Sequence, residues 1–458
     1  MQAIKFGTDG FRGIIADNFT FENVEKIATA FGLYLLQCRN PKLIRGVLIG
    51  YDRRFLSQEF AQAFADILVN LGINVLLSEE PVPTPAVSYF IRKNKLFCGV
   101  VITASHNPAS FNGVKIKNEF GASVESNVTK EIERIISKNI NPNFKVKICG
   151  KIKKVRITDD YVSFIKRYLN IPLLKKFRYK IVVDNMHGVG AGIIEKILKD
   201  TPIKIESIRN YRDVLFGSVN PEPIEKNLGF LHKFIKTHKC DLAIALDGDA
   251  DRIGAMSASG HFISSHQAIC LLLLHLIENK KFTGKVVKSI NTTTMVDKIT
   301  RFYGLEQEEV PVGFKYIAIK MLKENVLLGG EESGGIGFKN YMPERDGVLS
   351  GLLLLELMAY KRKSIIQIIR EMEKKFGRFV YLRRDLKINT VKKIKHPKLI
   401  NGKKVVEIKT YDGTKFILND ESWLLIRASG TEPIVRIYAE SGNLISTKQL
   451  INFGGNLL

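Results

Sequence analysis

The strongest constraint on the fold of this chain is a recurring unit: a short apolar run, an abrupt stop in glycine and polar residues, then a segment with helical spacing. Residues 46–52 (GVLIGYD) form one such run. The next segment places Phe60, Phe64, Ile67, Leu68 and Leu71 at helical intervals behind Ser57, a residue of helix-capping type. Gly72 predicts the end of that helix, and residues 73–77 predict the next strand. Runs at 99–103, 179–184, 241–246 (DLAIAL), 285–290 and 326–328 repeat the arrangement, with helices predicted over 190–199 and from Thr293. Strands alternating with helices at this spacing imply mainly parallel sheets and an α/β fold. From Arg378 onward strands dominate, with a turn predicted at Asp412 and Gly413, so this stretch predicts a smaller α+β domain with an antiparallel sheet. A chain of 458 residues exceeds one ordinary core. The divisions expected are 1–158, 159–258, 259–373 and 374–458. No internal repeat is visible at the level of residues.

Five polar loops carry the chemistry: residues 7–13 (GTDGFRG), 103–108 (TASHNP), 247–252 (DGDADR), 330–335 (GEESGG) and 427–433 (RASGTEP). In the second, Ser105 lies at the carboxyl end of a predicted strand, where α/β sites form, with His106, Asn107 and Lys115 as polar neighbours. It reads either as a covalent nucleophile or phosphate carrier, or as a plain Ser/Asn/Pro turn. The surroundings are not Gly-x-Ser-x-Gly, which disfavours a hydrolase elbow.

The aspartate loop is the sharpest signal. Asp247, Asp249 and Asp251 put three carboxylates in one short turn, which costs free energy unless a cation compensates. Hard oxygen donors at this spacing suit Mg²⁺. An EF-hand is disfavoured, because an apolar strand precedes the loop and the remaining calcium ligands are missing. A solvated acidic turn is the bland alternative. Arg252 beside the carboxylates has the fork geometry for a phosphate. Glu331 and Ser333 can exchange hydrogen bonds with neutral hydroxyls of a sugar, though a surface turn accounts for them equally well. Arg427, Ser429, Gly430 and Thr431 combine a guanidinium, two hydroxyls and freed backbone N–H groups, the composition of an anion nest; a hairpin turn is the alternative.

In this order the five loops closely resemble the α-D-phosphohexomutase superfamily, which includes phosphoglucomutases, phosphomannomutases and phosphoglucosamine mutases. The resemblance extends to residues 112–115 (NGVK), 221–223 (PEP), 311–316 (PVGFKY) and 344–347 (ERDG). It implies three related α/β domains with mixed sheets plus a smaller C-terminal domain around a central cleft. The four expected divisions then carry, in order, the phosphoserine, metal, sugar and phosphate-binding loops. It implies a phosphoserine at Ser105, one Mg²⁺ held by Ser105, Asp247, Asp249 and Asp251, and glucose 1,6-bisphosphate as intermediate and activator. By the same resemblance Lys115, Arg12 and His106 join Ser105 in catalysis, with Lys115 as the proton-transfer group. Its amine would need lowering from a free value of roughly 10.4, a direction in which Arg12 and Mg²⁺ both act. Arg252, Glu331 and Ser333 would bind the sugar phosphate, and Arg427, Ser429, Gly430 and Thr431 would hold the idle phosphate with help from Lys315.

The implied activity is interconversion of hexose 1-phosphate and hexose 6-phosphate, with glucose preferred and mannose as a further substrate. Glu331-Glu332-Ser333 looks closer to phosphoglucomutase-like members than to phosphoglucosamine mutases; phosphoglucosamine mutase or phosphopentomutase activity is the alternative within the family. Gly335 stands where some members carry a histidine, which removes that residue from any acid–base role.

The net charge of +24 raises two readings outside the mutases, a phosphosugar sensor or a nucleic-acid binder on the same scaffold. The lysines are diluted along the chain and no nucleic-acid motif is present, so a solvated basic surface is expected and nucleic acid is not an expected partner. A phosphatase with Asp247 as nucleophile is the remaining option. The five cysteines are scattered and lack metal-ligand spacing, which fits a reducing compartment. No signal-peptide run opens the chain, and the apolar stretches at 269–277 and 348–360 are too short or too polar to span a bilayer. A cytoplasmic, soluble monomer or homodimer acting on a small phosphosugar is the expectation.

Overall fold

The computed structural model describes residues 4–7, 9–138, 149–387, 394–428 and 434–458. Four sheets follow one another along the chain. The first has six strands: β1 (Phe11–Ile14), β2 (Val47–Tyr51), β3 (Val75–Ser78), β4 (Cys98–Ile102), β5 (Phe111–Asn118) and β6 (Ile152–Val155), in the order β1-β5-β4-β2-β3-β6. The second orders β7 (Lys180–Asp184), β8 (Lys204–Ile208), β9 (Leu242–Leu246), β10 (Ile253–Ser257) and β11 (Phe262–Ile263) as β11-β10-β9-β7-β8. The third orders β12 (Lys285–Ser289), β13 (Gln307–Val310), β14 (Val326–Gly330) and β15 (Ile336–Phe338) as β13-β12-β14-β15. The expected division at 258 falls inside the hairpin that joins β10 to β11.

These three sheets share one plan. A central strand (β2, β7, β12) is followed by a helix and a parallel neighbour on one side (β3, β8, β13), then by a helix and a parallel neighbour on the other (β4, β9, β14). The chain then turns back antiparallel (β5, β10, β15). The serine, aspartate and glutamate loops are the three turn-backs, each at the carboxyl end of a completely buried strand. The repeat lies in strand order and not in residues, so the sequence does not display it.

The crossover helices form where expected, with one local difference. The helix Ser57–Asn70 begins behind Leu56, whose φ is 58°, and no side chain caps it. Ser57 Oγ donates instead to Asp52 Oδ1 at 2.6 Å, which diverts the capping hydroxyl into the site below. Two helices, Ser265–Glu278 and Gly347–Lys361, are buried on nearly every face, and they pack together beneath the second and third sheets. Their apolar side chains join those of the first three sheets in one continuous core.

The last sheet is antiparallel throughout: β16 (Val380–Lys387), β17 (Leu399–Ile400), β18 (Lys403–Lys409), β19 (Thr414–Leu418), β20 (Trp423–Ala428) and β21 (Ile434–Ser441), backed by the helix Leu444–Asn456. The predicted turn at Asp412-Gly413 leads into β19, with Gly413 at φ 87°. This domain has its own core and meets the third through a small apolar patch of Ile290, Trp423, Leu425 and Tyr438. Ion pairs surround the patch, including Lys415–Glu309 at 2.8 Å and Arg383–Glu332 at 3.7 Å. Among the described residues no helix is long and apolar enough to cross a membrane.

Candidate active site

The serine loop is held by a buried ion pair. Arg54, fully buried, donates to the carbonyl oxygens of Ser105 (2.6 Å), Asn107 (2.7 Å), Pro108 (2.8 Å) and Phe111 (3.0 Å). Asp52 pairs with Arg54 at 3.2 Å and accepts from the hydroxyls of Ser57 and Thr103, both at 2.6 Å. A guanidinium with its five donors in a fixed fork can gather several carbonyls in this way. It keeps Ser105 at φ 51°, a conformation that a non-glycine residue adopts only when its surroundings impose it. Asp52 and Arg54 were not singled out from the sequence; their signal is an Asp-x-Arg step directly after an apolar strand.

Ser105 Oγ donates to Asp247 Oδ2 at 2.8 Å, and His106 Nδ1 lies 3.5 Å from the same hydroxyl. Gly248 makes this approach possible, since a Cβ there would sit 2.5 Å from the Ser105 carbonyl oxygen. Asp247, Asp249 and Asp251 are fully buried, with one carboxylate oxygen of each within 4.8 Å of the others. Burial, reinforced by Asp251 and Asp249, pushes the Asp247 carboxyl well above the usual range. Burial also opposes the Asp249 carboxylate, but Lys115 and a hydrogen bond from Thr84 outweigh it and hold that group down. Among the described residues, Asp249 Oδ1 and Asp251 Oδ1 are buried without a hydrogen-bond donor. Orphaned carboxylate oxygens at this spacing fit a hard divalent cation.

Lys115 crosses from β5 into this cluster. Its Nζ lies 2.8 Å from Asp249 Oδ2 and 3.1 Å from both Asp251 Oδ2 and Asp9 Oδ2. Burial lowers this amine, but Asp249, Asp251 and Asp9 outweigh it among the protein groups and the ammonium is raised; a Mg²⁺ on the same carboxylates would act in the lowering direction that the sequence predicts. Arg345 completes the network from the third domain, donating to Asp9 Oδ2 at 2.6 Å and to Asp251 Oδ2 at 2.7 Å, with Glu331 Oε2 at 3.5 Å. Behind it Lys117 pairs with Glu344, and Ser123 Oγ donates to Asp9 Oδ1 at 2.8 Å. Asp9 and Arg345 lie in the polar segments 7–13 and 344–347, and nothing in local spacing shows that they meet. Arg12 donates to Asn107 Oδ1 in the serine loop, and Arg252 stands 3.8 Å from Asp251 Oδ1 and 4.0 Å from Glu222.

The glutamate loop docks on the aspartate loop through the Ile253 N–H and the Gly334 carbonyl at 3.2 Å. Glu331 is buried and faces Arg345, and burial raises its carboxyl. Glu332 turns the other way, to Arg383 and Asn291. Ser333 is half-buried beside them. A Cβ on Gly335 would sit 2.2 Å from Arg345 Cδ, so the absence of a side chain here is what lets Arg345 reach the cluster. Lys315 bonds to Ser126 Oγ of the first domain at 3.1 Å and lines a small pocket with Asp9 and Gly10. Arg427 pairs with Asp412 at 2.7 Å, and Asp412 also accepts from the Val312 N–H at 2.7 Å, which ties the fourth domain to the loop before Lys315. Ser429, Gly430 and Thr431 lie outside the described residues. The structure thus brings Ser105, His106, Lys115, Arg12, Asp247, Asp249, Asp251, Arg252 and Glu331 to one place, with Lys315 at its edge and Arg427 tied through Asp412 to the loop before Lys315.

Serine, carboxylate, lysine and arginine groups from the first three of four domains converge on one buried cluster and define a phosphoryl-transfer scaffold. The four phosphoglucomutase/phosphomannomutase family models match in chain order: α/β/α domain I over residues 3–143, domain II over 159–260, domain III over 264–376 and the C-terminal domain over 382–444. A phosphoglucomutase/phosphomannomutase of Thermococcus kodakarensis is 30% identical over 455 residues, covering 99% of this chain and 98% of the relative. A phosphoglucosamine/phosphogalactosamine mutase of Sulfurisphaera tokodaii is 31% identical over 452 residues, covering 98% and 97%. A crystal structure from Thermus thermophilus, which carries a provisional phosphomannomutase name, superposes with a TM-score of 0.89 at 34% identity, covering 100% of this chain and 99% of that one. The chain belongs to the phosphoglucomutase/phosphomannomutase family of phosphohexomutases.

Proposed function

We propose that this enzyme interconverts hexose 1-phosphates and hexose 6-phosphates by passing a phosphoryl group through Ser105, with glucose as the preferred sugar. The observation that carries the reading is the contact of Ser105 Oγ with Asp247 Oδ2, which puts a nucleophilic hydroxyl against a buried carboxylate triad. Asp247, Asp249, Asp251 and Ser105 are the groups that would hold Mg²⁺, whose chemistry here is to withdraw charge from the transferring phosphoryl group.

Phosphoryl transfer demands positioning and charge neutralisation more than covalent chemistry. In the forward half, the bond from phosphorus to Ser105 Oγ breaks and a bond to the free sugar hydroxyl forms, giving a 1,6-bisphosphate such as glucose 1,6-bisphosphate. Lys115 gives a proton to Ser105 Oγ as that oxygen leaves and takes up the proton of the attacking sugar hydroxyl, so the ammonium is restored at the end of the half-reaction. Lys115, held as an ammonium by Asp249, Asp251 and Asp9, supplies positive charge and a proton on the Ser105 side. Arg12, Arg252 and His106 flank the transfer position. The bisphosphate then turns over in the cleft, and the opposite phosphate returns to Ser105. Glu331 and Ser333 read the sugar hydroxyls, and Arg427, with Ser429, Gly430 and Thr431, grips the idle phosphate. Lys315, bonded to Ser126, serves that grip from the third domain. The reading places the enzyme in the cytoplasm, in keeping with five free cysteines.

The names of the relatives support a second sugar equally, since one is a phosphoglucosamine/phosphogalactosamine mutase. The test is a coupled assay with phosphorylated enzyme, Mg²⁺ and glucose 1,6-bisphosphate on glucose 1-phosphate, mannose 1-phosphate and glucosamine 6-phosphate. The highest kcat/KM is expected for glucose 1-phosphate. Robust turnover of glucosamine 6-phosphate alone would replace the sugar, and turnover of none would overturn the reading.

A further inference from the structure

Away from the catalytic cleft, a cavity of about 510 Å³ opens on the seam between the third and fourth domains. Its walls come from the start of the helix Ser265–Glu278, from the helix Ile365–Phe376 and from residues 378–381, where the chain enters β16. None of the residues assigned above to catalysis or to the sugar lines it. Pockets for compact organic ligands run from roughly 300 to 1,000 Å³, so the size fits one small molecule.

The charges of the lining are unequal in their commitments. Glu440 is buried and already accepts from the Thr294 N–H at 2.8 Å and from Trp423 Nε1 at 3.1 Å. Glu373 accepts from Gln267 Nε2 at 3.5 Å. Arg370 and Arg378 are exposed, and neither has a carboxylate within ion-pair distance among the described residues. Deeper in, His266 is 6% exposed and stands edge-on to Tyr381 with ring centroids 4.2 Å apart. Burial lowers its imidazole, which is therefore neutral near pH 7. Met295 and Ile369 are buried apolar wall, continued by the half-buried Phe379.

We propose that this cavity is a second ligand site that takes a compact phosphate monoester with an apolar body. Two guanidiniums without ion-pair partners present paired N–H donors, the geometry that suits phosphate oxygens. The apolar body lies on Met295, Ile369 and Phe379. Because the lining belongs to both domains, an occupant ties the fourth domain to the third.

The chain has one tryptophan, and it reports on this site: Trp423 shares Glu440 with the lining and lies 6.1 Å from the Tyr381 ring. The experiment titrates phenyl phosphate into the full-length protein and follows Trp423 fluorescence, with benzoate as the carboxylate probe. A saturable change is expected with phenyl phosphate, at least about tenfold weaker with benzoate. In the double variant Arg370→Glu, Arg378→Glu it should weaken about tenfold or more, while kcat/KM for hexose phosphate stays within about twofold. No saturable change up to about 10 mM would overturn the site, as would unchanged affinity in the double variant. Equal binding of benzoate would overturn the assignment to phosphate.

Discussion

Ser105 Oγ and Asp247 Oδ2 are hydrogen-bonded at 2.8 Å across 142 residues of chain. The contact exists because both residues occupy the same place in two copies of one topology, the turn between the third parallel strand and its antiparallel return. The third copy puts Glu331 at the equivalent turn, and the three turns face each other. The Ile253 N–H donates to the Gly334 carbonyl, and the Gly347 N–H to the Ala250 carbonyl at 3.1 Å. A composite site thus arises from repeated architecture without any long loop reaching across the cleft.

Arg345 is expected to be the residue whose loss most loosens this arrangement. It satisfies Asp9 and Asp251 together, and both belong to the Lys115 cluster. Arg345→Ala leaves Asp9, Asp249 and Asp251 to share the Lys115 ammonium, at a cost of about 2–3 kcal/mol. Arg345→Lys should recover only part of this, because an ammonium cannot reproduce the fork that serves two carboxylates. Denaturant unfolding measures the first effect, and kcat/KM the second. A wild-type midpoint in Arg345→Ala would refute the role.

The carboxylate triad should bind one Mg²⁺ with a dependence on each aspartate. Chelation is expected to abolish turnover, and added Mg²⁺ to restore it. Asp249→Asn and Asp251→Asn each remove a carboxylate charge at an oxygen that no described residue donates to, and each should raise the Mg²⁺ concentration for half-maximal activity by about tenfold or more. Calorimetric titration of Mg²⁺ checks this independently of turnover. Full activity in a chelator would contradict it.

Much of this site could be read in advance, and the reason is local. β9 is an uninterrupted apolar run, so its end, and with it the position of Asp247, was plain. The loops announced themselves by composition. What stayed hidden depends on distant partners: Arg54 bracing four carbonyls, Asp9 meeting Arg345, and Gly335 empty so that Arg345 can pass. Ser57 shows the same limit in reverse. A capping residue at a helix start is a sound local inference, yet the hydroxyl serves Asp52 because a buried carboxylate beside Arg54 needs it more. Lys115 shows it too: Asp249 and Asp251 were evident in sequence, but not that both, with Asp9, lie against its amine.

The seam of the fourth domain should carry a pH signature. Lys415 is buried against Trp423 and pairs with Glu309, beside Lys288 and Lys409; burial, with Lys288, brings its amine down to about 8 from 10.5. Below about 8 both folded and unfolded chains carry this proton, and above about 10.5 neither does. Between those values only the unfolded chain holds it, so folding stability rises with pH through that window. Relative to Lys415→Met, the wild-type protein should gain about 3 kcal/mol across it. Unfolding followed by Trp423 fluorescence reads the difference, and a constant or falling difference would refute the assignment.

The central claim, that the phosphoryl group passes through Ser105, is tested most directly by locating it. Enzyme incubated with glucose 1,6-bisphosphate and Mg²⁺ should carry phosphate on Ser105 by mass spectrometry, and Ser105→Ala should carry none and lose at least about a thousandfold in turnover. Phosphate found on Asp247, or an active Ser105→Ala enzyme, would contradict the account.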